Sequence, residues 1–510
     1  MELFDVWGYR IDPTFFKYLR NPTEAWASSA SSPIVLLLCI LGLLIAFSIW
    51  LYNQLTNKYL PKKTTSSWVP KQSLIWMLLT ALLFLPIRGG WQLSPINQSS
   101  VYFSNQSFAN LAAINAPWNF FSAVINDTYE TTNPYHYFSA AQSHCIVDSL
   151  YKQPLPFQQL LNTPRPNVLI IIWESLTAKV VERLGGKANV TPHFGEWSKQ
   201  GLFFDHFFAS GDRSDKGLIA ILSGYPAQSL TSIMTVPSKT AKLPSIAKDL
   251  TQLGYQTSFY YGGEPEFANI KSYLYSSHFQ NLITKENFSP NDWNSKWGAH
   301  DHVVYQRLLQ DLNQAKKPFF TTFFTLSSHE PFEVPMKPYF KEDNKTDGFL
   351  NSHRYADYAF DNFLKAAQQQ PWWNKTLIIV VADHGHSLPE TNSKLDQYKI
   401  PMLWLGGALN KKDSVVHQVA SQTDIAATLL HQVGLTSTAY VWSRNLFCKQ
   451  PIPFAYFAFH NGFGWIEPSK ELIFDHDGNL ITEQKGDGVK AALPKGKAYA
   501  QASFQDYLDK

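Results

Sequence analysis

TLIIVVADHGH, spanning Thr376–His386, sets a β-branched apolar run directly against four residues of another kind. Thr376–Ala382 has the length of a strand and no polar interruption, which suits a strand covered on both faces of a sheet. Asp383, His384, Gly385 and His386 follow at its carboxyl end, with the glycine free to bend the backbone tightly. Four other runs share this design: NVLIIIW (167–173), QTSFYY (256–261), PFFTTFFTL (318–326) and IPMLWL (400–405). Amphipathic stretches lie between them, with helices expected over Leu243–Leu253, His302–Gln314 and Tyr355–Gln369. This alternation predicts an α/β domain with a mostly parallel sheet flanked by helices. From Phe454 onward the pattern turns to hairpin-like runs around Asp477 and Gly478, which predicts a small C-terminal antiparallel sheet.

Ligands of such sheets bind beyond the carboxyl ends of the strands. Glu174 and Ser175 follow the first run, Gly262, Gly263 and Glu264 the second, Ser327, Ser328 and His329 the third, and Asp383 to His386 the fourth. Together they would gather carboxylates and imidazoles in one crevice, the donor set of a hard or borderline divalent cation. Taken singly, Glu174 suits a surface position beside a helix start, and His329 suits a structural hydrogen bond as well as a ligand contact. Their shared placement at strand ends favours the site. A nucleophile is expected in FFASGDRSDKGLIAILSG (207–224), where Ser214 opens an apolar helical stretch. As a plain N-cap it would need no further role. The same position, however, offers amide donors and a helix dipole to an anionic phosphate, and a divalent ion touching that oxygen would favour the alkoxide.

Composition adds the setting. The chain has 510 residues, enough for about three domains at roughly 150 residues each, or for one large domain with attachments. Its 43 Lys+Arg nearly balance 40 Asp+Glu, so nucleic acid is not an expected partner. Three cysteines exclude a disulfide scaffold, and only Cys145 and Cys448 lie where a bond could persist; paired and unpaired thiols both fit. Charged residues make up 16% of the chain, against about 25% in ordinary soluble proteins, and aromatic residues 15%.

Part of that bias is local. PIVLLLCILGLLIAFSIWLY (33–52) is an uncharged run long enough to cross a bilayer, and SLIWMLLTALLFLPI (73–87) is a shorter second candidate. The linking residues 53–72 carry Lys58, Lys62, Lys63 and Lys71 without an acidic residue, which places them in the cytoplasm by the positive-inside bias. Residues 1–32, an aromatic-rich connector at 88–165 and a catalytic domain at 166–510 then lie outside. A chain that starts outside with no signal before it is expected to be the tail of a longer multi-pass protein.

The order IIIWESL (170–176), SGDRSDKG (210–217), LSSHEPF (326–332), VVADHGH (380–386) and SQTDIAATLL (421–430) resembles the lipoteichoic acid synthase-like, phosphoglycerol transferase branch of the sulfatase and alkaline phosphatase superfamily. The resemblance implies an alkaline phosphatase-like fold preceded by transmembrane helices in a bacterial cytoplasmic membrane, with the catalytic domain on the extracytoplasmic or periplasmic side. It implies one divalent cation, commonly manganese with zinc or magnesium as alternatives, held by Glu174, Ser214, Asp383 and His384. Ser214 takes the nucleophile's place, where lipoteichoic acid synthases use Thr. His329 matches the pocket histidine, and Trp297, His300 and Asp301 match a Trp-Gly segment that shapes the headgroup pocket. Arg213 is a candidate for holding phosphate bidentately, and His386 for binding the headgroup or assisting proton transfer.

True sulfatases carry a Cys/Ser-x-Pro-x-Arg motif, and Ser214-Asp-Lys-Gly-Leu lacks both the Pro and the Arg. The expected function is therefore transfer of a phosphoglycerol or phosphoethanolamine headgroup from a membrane phospholipid to a glycan, lipid or polymer hydroxyl, through a covalent serine intermediate. A phosphodiesterase or sulfatase-type hydrolase using the same site is the alternative. An inactive membrane-anchored binding protein is a third reading.

Overall fold

β-Branched and aromatic runs become strands because their side chains fill the pleated, doubly covered surface of a central sheet. In the computed structural model, which describes residues 34–59, 70–92, 94–125, 132–151, 156–294, 296–448 and 453–510, nine such strands form the main sheet. They are β1 (Asn167–Trp173), β2 (Leu202–Phe208), β3 (Gln256–Tyr261), β4 (Asn281–Ile283), β5 (Phe319–Phe324), β6 (Thr376–Ala382), β7 (Lys399–Leu405), β8 (Ser414–Val416) and β9 (Ala420–Ser421). Their order is β4-β3-β5-β1-β6-β7-β2-β8, with β9 beside β2. Central β1 runs parallel to β5 and β6, with Ile172 in register with Phe324 on one side and Val381 on the other. Leu169 to Ile172 are fully buried, as continuous apolar strands between helix layers require.

Two features depart from the sequence expectation. IPMLWL lies in β7, which is antiparallel to both β6 and β2. LFFDHFF (202–208) is a strand that the sequence pattern conceals, because Asp205 and His206 interrupt its apolar run. The register shifts between Phe204 and Phe207, and the two polar side chains sit at that irregularity, with Asp205 accepting from the rings of His206 and His417 at 2.7 and 2.6 Å.

Helices α1 (Ile34–Tyr59) and α2 (Pro70–Arg88) come first in the chain, and α3 (Ala140–Tyr151), α4 (Ser214–Ser223), α5 (Asp301–Asn313), α6 (Lys345–Gln368), α7 (Asp424–Gln432) and α8 (Leu493–Asp509) follow. The helix expected over Leu243–Leu253 occupies Ile246–Gln252. α6 starts at Lys345 rather than Tyr355, capped by Asn344, whose side chain accepts the Asp347 amide at 3.0 Å. The second sheet is antiparallel, β10 (Ala455–Phe459), β11 (Gly462–Glu467), β12 (Lys470–Asp475) and β13 (Leu480–Lys485), in sequence order. α8 lies beyond the elements expected from the sequence. It packs beside α3, with Ser143 donating to the Ala498 carbonyl at 3.0 Å and Asn133 to the Gln501 carbonyl at 2.8 Å. Part of the aromatic connector is thereby tied to the C-terminal helix, where Tyr135 meets Phe504 edge to face at 5.4 Å.

The described residues fall into two compact units, one within 1–96 and 111–131, the other comprising 97–110 and 132–510. The first contains α1 and α2. Within α1, Cys39–Lys58 is long and apolar enough to cross a membrane, whereas Ser73–Arg88 is a shorter apolar helix. Among the described residues one helix, not two, meets that length. Leu43, Trp50, Trp76 and Phe84 are all exposed. The expected segment 1–32, with Lys62 and Lys63 of the basic loop, lies outside the described residues. Cys145 and Cys448 are free thiols, the first exposed and the second buried.

In the larger unit a buried ion pair fastens α7 to the chain entering the second sheet. Arg444 donates to both carboxylate oxygens of Asp424, at 2.9 and 2.6 Å, and to the Phe454 carbonyl at 2.7 Å. Its guanidinium lies 3.6 Å from the centre of the Phe454 ring. Asp424→Ala strands that cation in the core, so denaturant unfolding should register a loss of about 3–5 kcal/mol; a loss below about 1 kcal/mol contradicts this assignment.

Candidate metal and nucleophile site

Register puts the site's carboxylates side by side. Trp173 pairs with Ala382 at the ends of parallel β1 and β6, so the next residues, Glu174 and Asp383, leave the sheet together. Both are buried, at 3% and 0% exposure. Ser175, held at φ 59°, donates its amide to Asp383 Oδ1 at 2.8 Å and its hydroxyl to Glu174 Oε1 at 2.7 Å. The His384 amide also donates to Asp383 Oδ1, at 2.8 Å, while Asp383 Oδ2 is buried with no hydrogen-bond partner. Thr325 Oγ1, just past β5, accepts the Glu174 amide at 2.9 Å.

His384 closes the group. Its Nδ1 lies 2.6 Å from the Gly385 carbonyl, an oxygen that can only accept, so Nδ1 carries the proton and the lone pair is on Nε2. Nε2 points into the cluster, 3.3 Å from Asp383 Oδ2 and 3.7 Å from Glu174 Oε1. Ser214, the first residue of α4, brings Oγ to 3.5 Å from both Glu174 Oε2 and His384 Nε2. α4 reaches this position because residue 217 is glycine: a Cβ there would collide with the Asp383 carbonyl oxygen.

The residues fit a divalent cation. One ligand atom from each of Glu174, Asp383 and His384 lies within 4.8 Å of the others, the orphaned Oδ2 and the free Nε2 face each other, and the other ring nitrogen is fixed by a backbone carbonyl in the manner of metal-bound histidines. Burial, and then the neighbouring Glu174 charge, raise the Asp383 carboxyl to about 7. Burial alone would lower the His384 imidazole, but the charges of Asp383 and Glu174 outweigh it and raise it.

The sulfatase family profile matches residues 166–435, just over half of the chain. This chain belongs to the sulfatase family. It is 22% identical over 374 residues to the lipoteichoic acid synthase-like protein YvgJ of Bacillus subtilis, an alignment covering 67% of this chain and 59% of that one. This sulfatase-family chain spans about half the length of the curated relatives it matches. Another of them is lipoteichoic acid synthase 2 of Bacillus subtilis, 24% identical over 310 residues that cover 55% of this chain and 46% of that one. Its fold is similar to that of an alkaline phosphatase superfamily protein of Vibrio parahaemolyticus, with a TM-score of 0.64 at 24% identity over 74% of this chain and 97% of that one. It is also similar to lipoteichoic acid synthase LtaP of Listeria monocytogenes, with a TM-score of 0.61 at 14% identity over 73% and 99%.

Around this sulfatase-family centre the remaining expected residues separate. His329 is half-buried, and its Nδ1 lies 2.9 Å from the Glu330 carbonyl, which fixes the proton there and leaves Nε2 to a ligand. Trp297 packs edge-on against the His329 ring at 4.5 Å and donates its indole N–H to the same carbonyl at 2.6 Å. Asp301, placed with the headgroup contacts from the sequence, is instead buried at 1% exposure. Its Oδ1 accepts the Leu326 and Ser327 amides at 2.8 and 3.2 Å, and Ser327 Oγ accepts the Asp301 amide at 3.0 Å. Through Oδ1 it holds the loop that carries His329, while Oδ2 is buried without a hydrogen-bond partner. His300 forms a triangle with His302 and Tyr355, ring centroids 6.1 Å apart in each pair. Its Nδ1 is buried without a partner. Arg213 is exposed. His386 stacks on Phe349 at 4.4 Å and accepts the Leu388 amide on Nδ1 at 3.0 Å.

Three contributors do not stand out in the sequence. Ser175 reads there only as a neighbour of Glu174. Gln422, inside the quoted SQTDIAATLL motif, donates to the Ala382 and Asp383 carbonyls at 2.7 and 2.6 Å and accepts the Ser210 amide at 2.8 Å, which ties the loop before Ser214 to the end of β6. Lys216 pairs with Asp212 at 2.9 Å one turn into α4. Burial opposes ionisation of Asp212, yet Lys216 keeps its carboxyl below the usual value.

Asp301 supplies a test with a defined sign. Burial raises its carboxyl from 3.8 to about 6 against the pull of its hydrogen bonds. The folded chain therefore holds the proton more tightly than the unfolded one, and this group's contribution to stability falls as pH rises from about 4 to 6. Asp301→Asn removes that dependence. Its stability relative to the parent should improve across this window by up to about 3 kcal/mol and then level off, as read by denaturant unfolding at a series of pH values. A difference that stays flat with pH contradicts the assignment.

Proposed function

We propose that this chain is a membrane-anchored, metal-dependent phosphotransferase that moves a phosphoglycerol or phosphoethanolamine headgroup from a phospholipid to an acceptor hydroxyl through a covalent serine intermediate. The observation that carries the reading is the position of Ser214 Oγ, 3.5 Å from Glu174 and from His384, at the start of α4. The relatives named as lipoteichoic acid synthases support transfer over hydrolysis, and the apolar α1, with α2 beside it in sequence, supports an anchor in the bilayer.

Glu174, Asp383, His384 and Ser214 would hold one divalent cation, with manganese the ion proposed. When bound, the cation lowers the pKa of the serine hydroxyl and offsets charge on the phosphoryl oxygens. Ser214 Oγ gives up its proton and forms the new bond to phosphorus, the diacylglycerol oxygen departs and takes up a proton, and the amides at the start of α4 receive the phosphoryl oxygens. His329, its Nδ1 held by the Glu330 carbonyl beside Trp297, would offer Nε2 to the headgroup. An acceptor hydroxyl then attacks the phosphoserine and releases Ser214 with its proton restored. Fixing the domain beside the membrane raises the effective concentration of lipid headgroups, so the site works without a strongly basic surface. The catalytic domain is proposed to lie on the extracytoplasmic side.

Vesicles of fluorescent phosphatidylglycerol or phosphatidylethanolamine test this reading. The manganese-loaded protein should release diacylglycerol and acquire the headgroup mass on the Ser214 peptide, while Ser214→Ala should lose at least about a thousandfold in rate. Release by Ser214→Ala at the parent's rate contradicts the nucleophile assignment.

A further inference from the structure

Tyr261 closes β3 at the same rim of the sheet, in register with Phe324 of β5. Its ring stacks on Phe324 with centroids 5.0 Å apart. On the ring's other contact, a Cβ at residue 263 would lie 2.6 Å from Tyr261 Cζ and 2.8 Å from its hydroxyl, so Gly263 is what lets the phenol lie along the strand's exit. The residue is only 5% exposed. Phenols such as those of Tyr225 and Tyr305 are sealed in the interior without partners, and the Tyr261 oxygen is not among these sealed atoms. It also makes no hydrogen bond among the described residues, so its small exposure includes an unused donor.

Register shows which face that donor lies on: Tyr261 is level with Phe324 and, through it, with Ile172, so it stands on the same face of the sheet as Glu174, two residues further along from Ile172. After burial itself, the influences on the phenol are the charges of Glu174, then Asp383, Glu264 and Asp301, all of which oppose loss of its proton. The first two are the carboxylates of the metal cluster. An unpartnered hydroxyl kept protonated beside that cluster can donate to an anion but cannot act as a base.

We propose that Tyr261 is a substrate-contacting residue whose hydroxyl donates a hydrogen bond to a non-bridging oxygen of the phosphoryl group held at Ser214. The assignment rests on the phosphotransferase reading for its substrate. It extends that reading to a strand the metal and nucleophile do not use, and adds a neutral donor at a crevice where carboxylates outnumber cations. Such a donor strengthens as charge builds on the phosphoryl oxygens in the transition state.

Tyr261→Phe removes one oxygen and keeps the ring on Phe324. In the full manganese-loaded chain, affinity for inorganic phosphate, measured by calorimetry, should fall about tenfold. Headgroup release from phosphatidylglycerol vesicles should lose about ten- to a hundredfold in kcat, with KM within about twofold. Manganese affinity and melting temperature should stay at the parent's values. If Tyr261→Phe binds phosphate as tightly as the parent, the assignment falls, whatever the rate. If the parent binds phosphate in a Tyr261-dependent way but cleaves no phospholipid, the tyrosine assignment holds and the lipid reading fails. A parent that binds no phosphate overturns both.

Discussion

Two carboxylates forced together at the ends of adjacent parallel strands set the terms for everything around them. Glu174 and Asp383 are buried, with ligand oxygens within 4.8 Å of each other. At an effective dielectric of about 20 their mutual repulsion is on the order of 3–4 kcal/mol. Ser175 and two backbone amides offset part of it on Glu174 Oε1 and Asp383 Oδ1, but Asp383 Oδ2 has nothing. The architecture that creates this strain also frames what relieves it: the lone pair of His384 and the hydroxyl of Ser214 converge on the same space. Gly217 and Gln422 keep α4 and the metal strand in contact.

A second consequence concerns how an anionic headgroup is held. Arg213 is exposed, and Lys216 is committed to Asp212. What the site offers a phosphoryl group is a candidate cation, the amides at the start of α4, the oriented His329 and the hydroxyl of Tyr261. This is consistent with a near-neutral chain in which 43 basic residues face 40 acidic ones. The selectivity of such a site comes from fixed dipoles rather than from a basic surface.

Much of this was legible in the sequence because continuous apolar strands announce themselves, and polar residues placed right after them can only emerge at one rim. That logic pointed to Glu174, Asp383 and His384, which the fold gathers within 4.8 Å of one another, and to Ser214 through its helix start. It fails where local chemistry hides the pattern. β2 carries Asp205 and His206 in its middle, at the irregularity between Phe204 and Phe207, so no continuous apolar run marks it as a strand. The reversed direction of β7 leaves no trace in IPMLWL, since burial on both faces looks alike in either direction. Asp301 stands beside pocket candidates in the chain, and only three-dimensional structure shows its carboxylate turned toward the Leu326 and Ser327 amides. Tyr261 reads as the last residue of a strand, because nothing in QTSFYY marks one phenol as unpartnered.

That the Glu174–Asp383 pair exists to bind a cation that also touches the nucleophile is the central claim. Diffraction from crystals grown with manganese, recorded on both sides of the manganese absorption edge, tests it most directly. One anomalous peak per chain is predicted within coordination distance, about 2.0–2.3 Å, of Glu174, Asp383, His384 Nε2 and Ser214 Oγ. The absence of a peak there, with these four side chains in the same arrangement, would contradict it.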